Sequence, residues 1–185
     1  MKKSLCFFVL GLLILFQIGC GGKAQTGAEQ SLGTIQKVDY SKLKAQVEEY
    51  DRAAINKDFN KRVDWTHPKY IEQSGGREKM LADIKTGVEE YKAQGIETMA
   101  ISIGQPGEVV QIKDQLFSVV PTTSTLKAPG GTLVGEITVL AVSDDGTNWK
   151  FISGLNQERF DALFPDASGK IIIPDVTEPR FVESE

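Results

Sequence analysis

"GVEEYKAQGIETMAISIG", residues 87–104, carries the change of period on which the fold turns. Up to Gly95 the apolar residues recur at helical spacing. In "REKMLADIKTGVEEYKAQG" (77–95), Met80, Ile84, Val88 and Tyr91 line one face, and Gly95 supplies a helix stop. Beyond it, "IETMAISIG" reads as a strand, and strands follow in "EVVQIKD", "LFSVVPTTSTLK", "TLVGEITVLAVS" and "WKFISGL". The segments between them have turn chemistry: "GQPG" (104–107) suits a turn, and "APGG" (128–131) and "DDGTN" (144–148) suit hairpin ends. Upstream, "DYSKLKAQVEEYDRAAI" (39–55) repeats Leu43, Val47, Tyr50 and Ala54 on one helical face, with Ser41 as its expected N-cap. "NKDFNKRVDW" (56–65) continues as a short helix or turn anchored by Phe59, Val63 and Trp65, and His67-Pro68 interrupts it. Helices first and antiparallel strands afterwards predict an α+β domain, the helices lying on one face of a sheet. The long strands near 116–126 and 132–142 should bend around those helices, with Pro121 and Gly135 as candidate bulge or bend positions.

The N-terminus addresses location. Lys2 and Lys3 precede the uncharged apolar run "LCFFVLGLLILF" (5–16) and then "QIGC" (17–20), a signal-peptide pattern too short for a spanning helix. A small residue before Cys resembles a bacterial lipoprotein signal, with Gln17 in place of the usual Leu. That resemblance implies cleavage at residues 1–19 and a lipidated Cys20. An ordinary secretory signal and an uncleaved anchor are the other readings. Each buried methylene of an acyl chain contributes roughly 0.8 kcal/mol, so several chains hold a protein on a bilayer without a spanning helix. Gly21, rather than Asp, after Cys20 implies by the same resemblance the outer membrane of a Gram-negative envelope, facing the periplasm.

Only Cys6 and Cys20 are cysteines, so the mature folded part would hold no thiol, disulfide or cysteine metal site. Loss of residues 1–19 removes two lysines and no acid, taking the formal charge from −4 to −6, which argues against a nucleic-acid partner. "GGKAQTGAEQSLGTIQKV" (21–38) has little apolar content and reads, with Cys20, as a tether over 20–38. One domain is expected over 39–164 and a C-terminal extension over 165–185. In that extension "KIIIP" would add an edge strand or lie over the domain, and the final acidic residues would be mobile.

The element order from about 39 to 156 resembles the nuclear transport factor 2-like superfamily in its SnoaL-like branch. So do "KDFNKRVDWTHPKYIEQSGG", "GVEEYKAQGIE" and "DDGTNWKF", which are packing and turn patterns, not catalytic signatures. The resemblance implies a cone: a strongly curved antiparallel sheet around helices, with a pocket at the wide end and homodimers through the open sheet face. Its members include isomerases, cyclases, dehydratases and pure binding domains, so the fold does not choose the function.

The candidate chemistry is sparse. His67 is the only histidine, and Asp64 and Tyr70 stand close enough in sequence to orient it as a general base or acid. The reading that outweighs this is a histidine at a helix-to-loop corner, hydrogen-bonded to backbone and fixing the Pro68 turn. Glu136, between Val134 and Thr138 on one strand face, would be a buried base if that face lines the cone and a solvated acid if it does not. Gly75-Gly76 before a helix offers backbone N–H groups to an anion, with Arg77 to assist a carboxylate, or else Ser74 or Gly76 simply caps the helix and glycine supplies the dihedrals. Asp144, Asp145 and Asn148 lack the spacing of a helix-loop-helix calcium site and suit a hairpin turn. One histidine excludes a histidine metal cluster, and no Gly-x-Ser-x-Gly is present. Phe117, Trp149 and Phe151 would form core or the apolar wall of a ligand pocket. No metal or cofactor is expected. The expectation is a lipid-anchored envelope module that binds a small apolar ligand or a protein, the alternative being a small lyase or isomerase using His67, Asp64, Tyr70 or Glu136.

Overall fold

The computed structural model describes residues 38–184; the expected signal peptide, Cys20 and the tether up to residue 37 lie outside the described residues. Helix α1 spans Tyr40–Ile55, α2 Phe59–Trp65, α3 Pro68–Gln73 and α4 Arg77–Ala93. Strands β1 (Glu97–Ile103), β2 (Val110–Ile112), β3 (Gln115–Ala128), β4 (Gly131–Ser143) and β5 (Lys150–Ser153) follow. Helix α5 (Gln157–Leu163), a single 3-10 turn at Pro165–Ala167 and β6 (Arg180–Glu183) complete the chain. The fold is α+β, with the N-terminal helices packed in the concavity of a strongly curled antiparallel sheet. Among the described residues no helix is long and apolar enough to cross a membrane.

The helix-to-strand switch at Gly95 has a local cause. Gly95, at φ +73, donates its N–H to the Lys92 carbonyl at 3.0 Å, and Ile96 donates to Tyr91 at 2.9 Å. These two bonds satisfy the last carbonyls of α4 in a Schellman arrangement, which needs a left-handed residue at that point. The α1 N-cap is Asp39 rather than the expected Ser41. The Asp39 carboxylate accepts from the N–H groups of Ser41 and Lys42 and from the Ser41 hydroxyl, so the residue two positions earlier captures the orphan donors.

β3 is central, pairing with β4 along one side without a break from Leu116↔Ser143 to Ala128↔Gly131. Register holds through Pro121 and Gly135, so neither is a bulge; the irregularity falls between Thr98 and Ala100 of β1. Pro121 acts on its other neighbour. It accepts from the Gly104 N–H at 2.8 Å but has no N–H to return. The edge chain consequently leaves the ladder after Ile103 and rejoins it at Val110. "GQPG", expected as a turn, is an interruption within one edge strand, since β1 and β2 lie on the same side of β3. β5 and β6 share the far side of β4, β5 at its C-terminal half and β6 at its N-terminal half. Gly131 is required there, because a Cβ would collide with the Val182 carbonyl oxygen of β6.

Alternation along β3 and β4 divides the core in two. Toward the helices, Leu116, Val120, Val139, Ala141 and Phe151 pack with Leu43, Val47 and Tyr50 of α1 and with Trp149. On the opposite face Phe117, Leu140, Val142 and Ile152 pack with Phe160, Leu163 and Phe164. Ala167, Ile171 and Ile173 of the expected extension are buried in this second cluster, covering the outer face of the sheet. Residues of "KIIIP" form no strand; the added edge strand is β6, at the acidic terminus expected to be mobile.

Candidate functional site

The sequence candidates do not converge. His67 is buried at 7 % exposure and caps α3: its Nδ1 accepts the Lys69 N–H at 3.2 Å, its own N–H donates to the Phe151 carbonyl at 3.0 Å, and its ring meets Phe164 edge-on. Pro68 at the first helical position completes this helix start. Asp64 sits on exposed surface, where its carboxylate accepts from Arg77 Nη1 at 2.7 Å. Arg77 therefore serves an acid of this chain, and Gly76 is the α4 N-cap without a side-chain hydrogen bond. Glu136 shares the sheet face of Leu140 and Val142, away from α1, at a groove of about 340 Å³ beside Pro174 and Val176. Trp149 and Phe151 are fully buried against Tyr50 and α1, and Phe117 meets Phe160 and Phe164 edge-on. Asp145 accepts from Thr147 N–H, Asn148 N–H and the Asn148 amide, so the 144–148 loop closes on itself. Those bonds hold its carboxyl below the usual range. Among the described residues no group of three or more His, Cys, Asp and Glu is gathered to hold a metal.

Burial lowers the His67 imidazole to about 4; the Lys69 and Lys150 charges push the same way and Asp144 opposes them. The ring is thus neutral in the fold and keeps its capping lone pair. A depressed histidine contributes stability that is complete above its unfolded value near 6.5 and is lost as pH falls toward 4. The expected loss is about 3 kcal/mol across that window. Urea unfolding of wild type and His67→Asn at pH 7.5 and 4.5 measures it. Asn keeps a capping oxygen, so the variant should show the smaller drop; equal drops would refute the assignment.

Tyr70 lines a different feature, an open cleft of about 600 Å³. α1 supplies Tyr50, α2 Arg62, the position just after α2 Thr66, and α3 Tyr70 and Gln73; Met80 and Ile84 of α4 form an apolar wall, and β5 and α5 add Ser153 and Arg159. Arg62 is held rigidly. Its guanidinium lies 3.4 Å over the Tyr50 ring, and Nη1 donates to the Tyr50 carbonyl at 2.9 Å and to Asp51 Oδ1 at 2.8 Å. Asp51 is 4 % exposed, and burial raises its carboxyl despite the neighbouring guanidinium. Arg62 Nε and Nη2 have no hydrogen-bond partner among the described residues. Arg159 extends over the Tyr70 ring at 5.1 Å, while Lys79 is tied to Asp83 at 2.6 Å.

Sequence reasoning found only Tyr70 of this set. Arg62 and Asp51 stand on helices rich in charge, where a solvated face and a buried pair look alike. Arg159 belongs to α5, whose start was legible: Asn156 accepts the Arg159 N–H at 3.0 Å, and Phe160, Leu163 and Phe164 follow at helical spacing.

Set against known proteins, the chain matches no family model, no curated protein and no solved structure.

Proposed function

We propose that the protein is a lipid-anchored binding module of the bacterial envelope, with a nuclear transport factor 2-like domain that takes a small ligand in the cleft between α2, α3 and α4. The observation that carries this reading is the cleft itself. It opens beside helices held in a curled sheet, has the volume of a small-molecule site, and brings polar groups together over an apolar wall. The curled antiparallel sheet around helices supports the superfamily resemblance. The sequence pattern ending at Cys20 supports the anchor. A lyase or isomerase would need two of His67, Asp64, Tyr70 and Glu136 at one point. Of these only Tyr70 lines the cleft, while the others cap a helix, pair with Arg77 or stand on the opposite sheet face.

Two measurements test the reading. Expressed in a Gram-negative host, the full chain should be recovered with membranes and incorporate labelled palmitate, and Cys20→Ser should abolish the label. A labelled Cys20→Ser chain would sink the anchor. For the cleft, thermal unfolding of the detergent-purified full chain is followed with short organic acids, phosphomonoesters, fatty acids and uncharged aromatics. At least one class should raise Tm, and Ile84→Trp, which fills the cleft from its half-exposed wall, should remove the rise. No rise with any class would overturn the binding module.

A further inference from the structure

The cleft is cationic in an acidic chain. The formal charge of the whole sequence is −4, yet Arg62, Lys79 and Arg159 face the cleft; Asp83 engages Lys79 and the buried Asp51 engages Arg62, which leaves Arg159 as the uncompensated cation of the three. Arg159 makes no ion pair among the described residues. Arg62 spends one nitrogen on the protein and leaves the Nε/Nη2 edge open. That edge is a pair of parallel N–H donors at the spacing of two oxygens on one carbon or phosphorus. Because Asp51, the Tyr50 carbonyl and the Tyr50 ring hold the guanidinium on three sides, it needs little further ordering to bind.

Deepening the binding-module reading and resting on it, we propose that the cleft binds a small organic carboxylate carried on a flat apolar body. The carboxylate takes the open edge of Arg62, with Arg159 supplying the second positive charge. The Tyr70 ring, Met80 and Ile84 supply surface for the body. An inorganic anion would leave that apolar wall unused, and an uncharged aromatic would leave the Arg62 edge unpaired.

The test is calorimetric titration of the detergent-purified full chain with 2-naphthoate, its neutral amide 2-naphthamide, and inorganic phosphate. 2-Naphthoate should bind at least roughly tenfold tighter than either, the margin of one charge-assisted hydrogen bond. Arg159→Ala, a change on exposed surface, should weaken it, and Arg62→Lys should weaken it by a similar factor while leaving Asp51 a counter-charge. Thermal unfolding of both variants confirms that they fold, and Arg159→Ala alone suffices if Arg62→Lys does not. No binding of 2-naphthoate, equal binding of the amide, or equal binding of phosphate would overturn the proposal. If 2-naphthoate fails while another class still raises Tm in wild type but not in Ile84→Trp, the binding module stands and only the carboxylate assignment falls. If nothing binds, both fall.

Discussion

Phe151→Ala should lower the free energy of unfolding by about 3–5 kcal/mol, the usual cost of deleting a fully buried ring. Phe151 has no exposed surface, and its ring lies between those of Tyr50 and Trp65 at 5.2 and 6.0 Å. Several segments meet on it: its ring packs against Tyr50 of α1 and Trp65 of α2, its carbonyl accepts the His67 N–H, and Thr66 bridges to its backbone. Little can collapse into the vacancy, because the flanking rings are fixed by α1 and α2. Urea denaturation at pH 7.5 measures the loss, and Phe151→Leu should recover more than half of it. A loss under 1 kcal/mol for the alanine variant would mean that the helix-to-sheet contact is looser than the rings indicate.

The second large effect belongs to Asp51 and Arg62. Arg62→Met should cost about 3–5 kcal/mol, because it leaves Asp51 buried without its counter-charge. The pair is close, at 2.8 Å, and its side chains are only 14 % and 5 % exposed, so water cannot replace the lost partner. Asp51 Oδ2 already has no hydrogen-bond partner, so the site has no reserve with which to hold the orphaned carboxylate. Asp51→Leu combined with Arg62→Met should be far less damaging than Arg62→Met alone, since no charge then remains buried. A double-mutant cycle on urea unfolding gives the coupling directly. Simple additivity would show that the ion pair contributes nothing of its own and that Arg62 matters only through the Tyr50 ring and carbonyl. In the carboxylate site proposed above, Asp51 would be the buried acid that fixes the guanidinium edge.

Much of this architecture is legible in single residues. Gly95 separates helix from strand because it alone tolerates the left-handed position that closes α4. Pro129-Gly130 joins β3 to β4, with Gly130 at φ +81, as a turn with Pro then Gly requires. Of the expected α1 stripe, Leu43, Val47 and Tyr50 are buried and Ala54 is half-buried, while Asp51 and Ala53, outside that stripe, are buried as well. The stripe on α4 was equally readable, yet of it only Met80 is buried, and Tyr91 remains 57 % exposed. Helical period states which residues share a face, not whether another element comes to cover it.

The sequence by itself determined the α+β class, the order of the first four helices before β1 to β5, the positions of those strands and the reversals at 128–131 and 144–148. These depend on contacts within a few residues: hydrophobic period, glycine and proline dihedrals, and capping oxygens. Tertiary structure alone decided the face of β4 on which Glu136 stands, the burial of Ile171 and Ile173 against the outer sheet, the return of β6 to β4, and the meeting of Arg62, Tyr70 and Arg159 in one cleft. Those residues are separated by up to about a hundred positions, and their proximity follows from the curl of the sheet and the packing of α5 beneath it. No local pattern encodes that, because a charged side chain on a helix has the same neighbours in sequence whether it meets water or a buried partner.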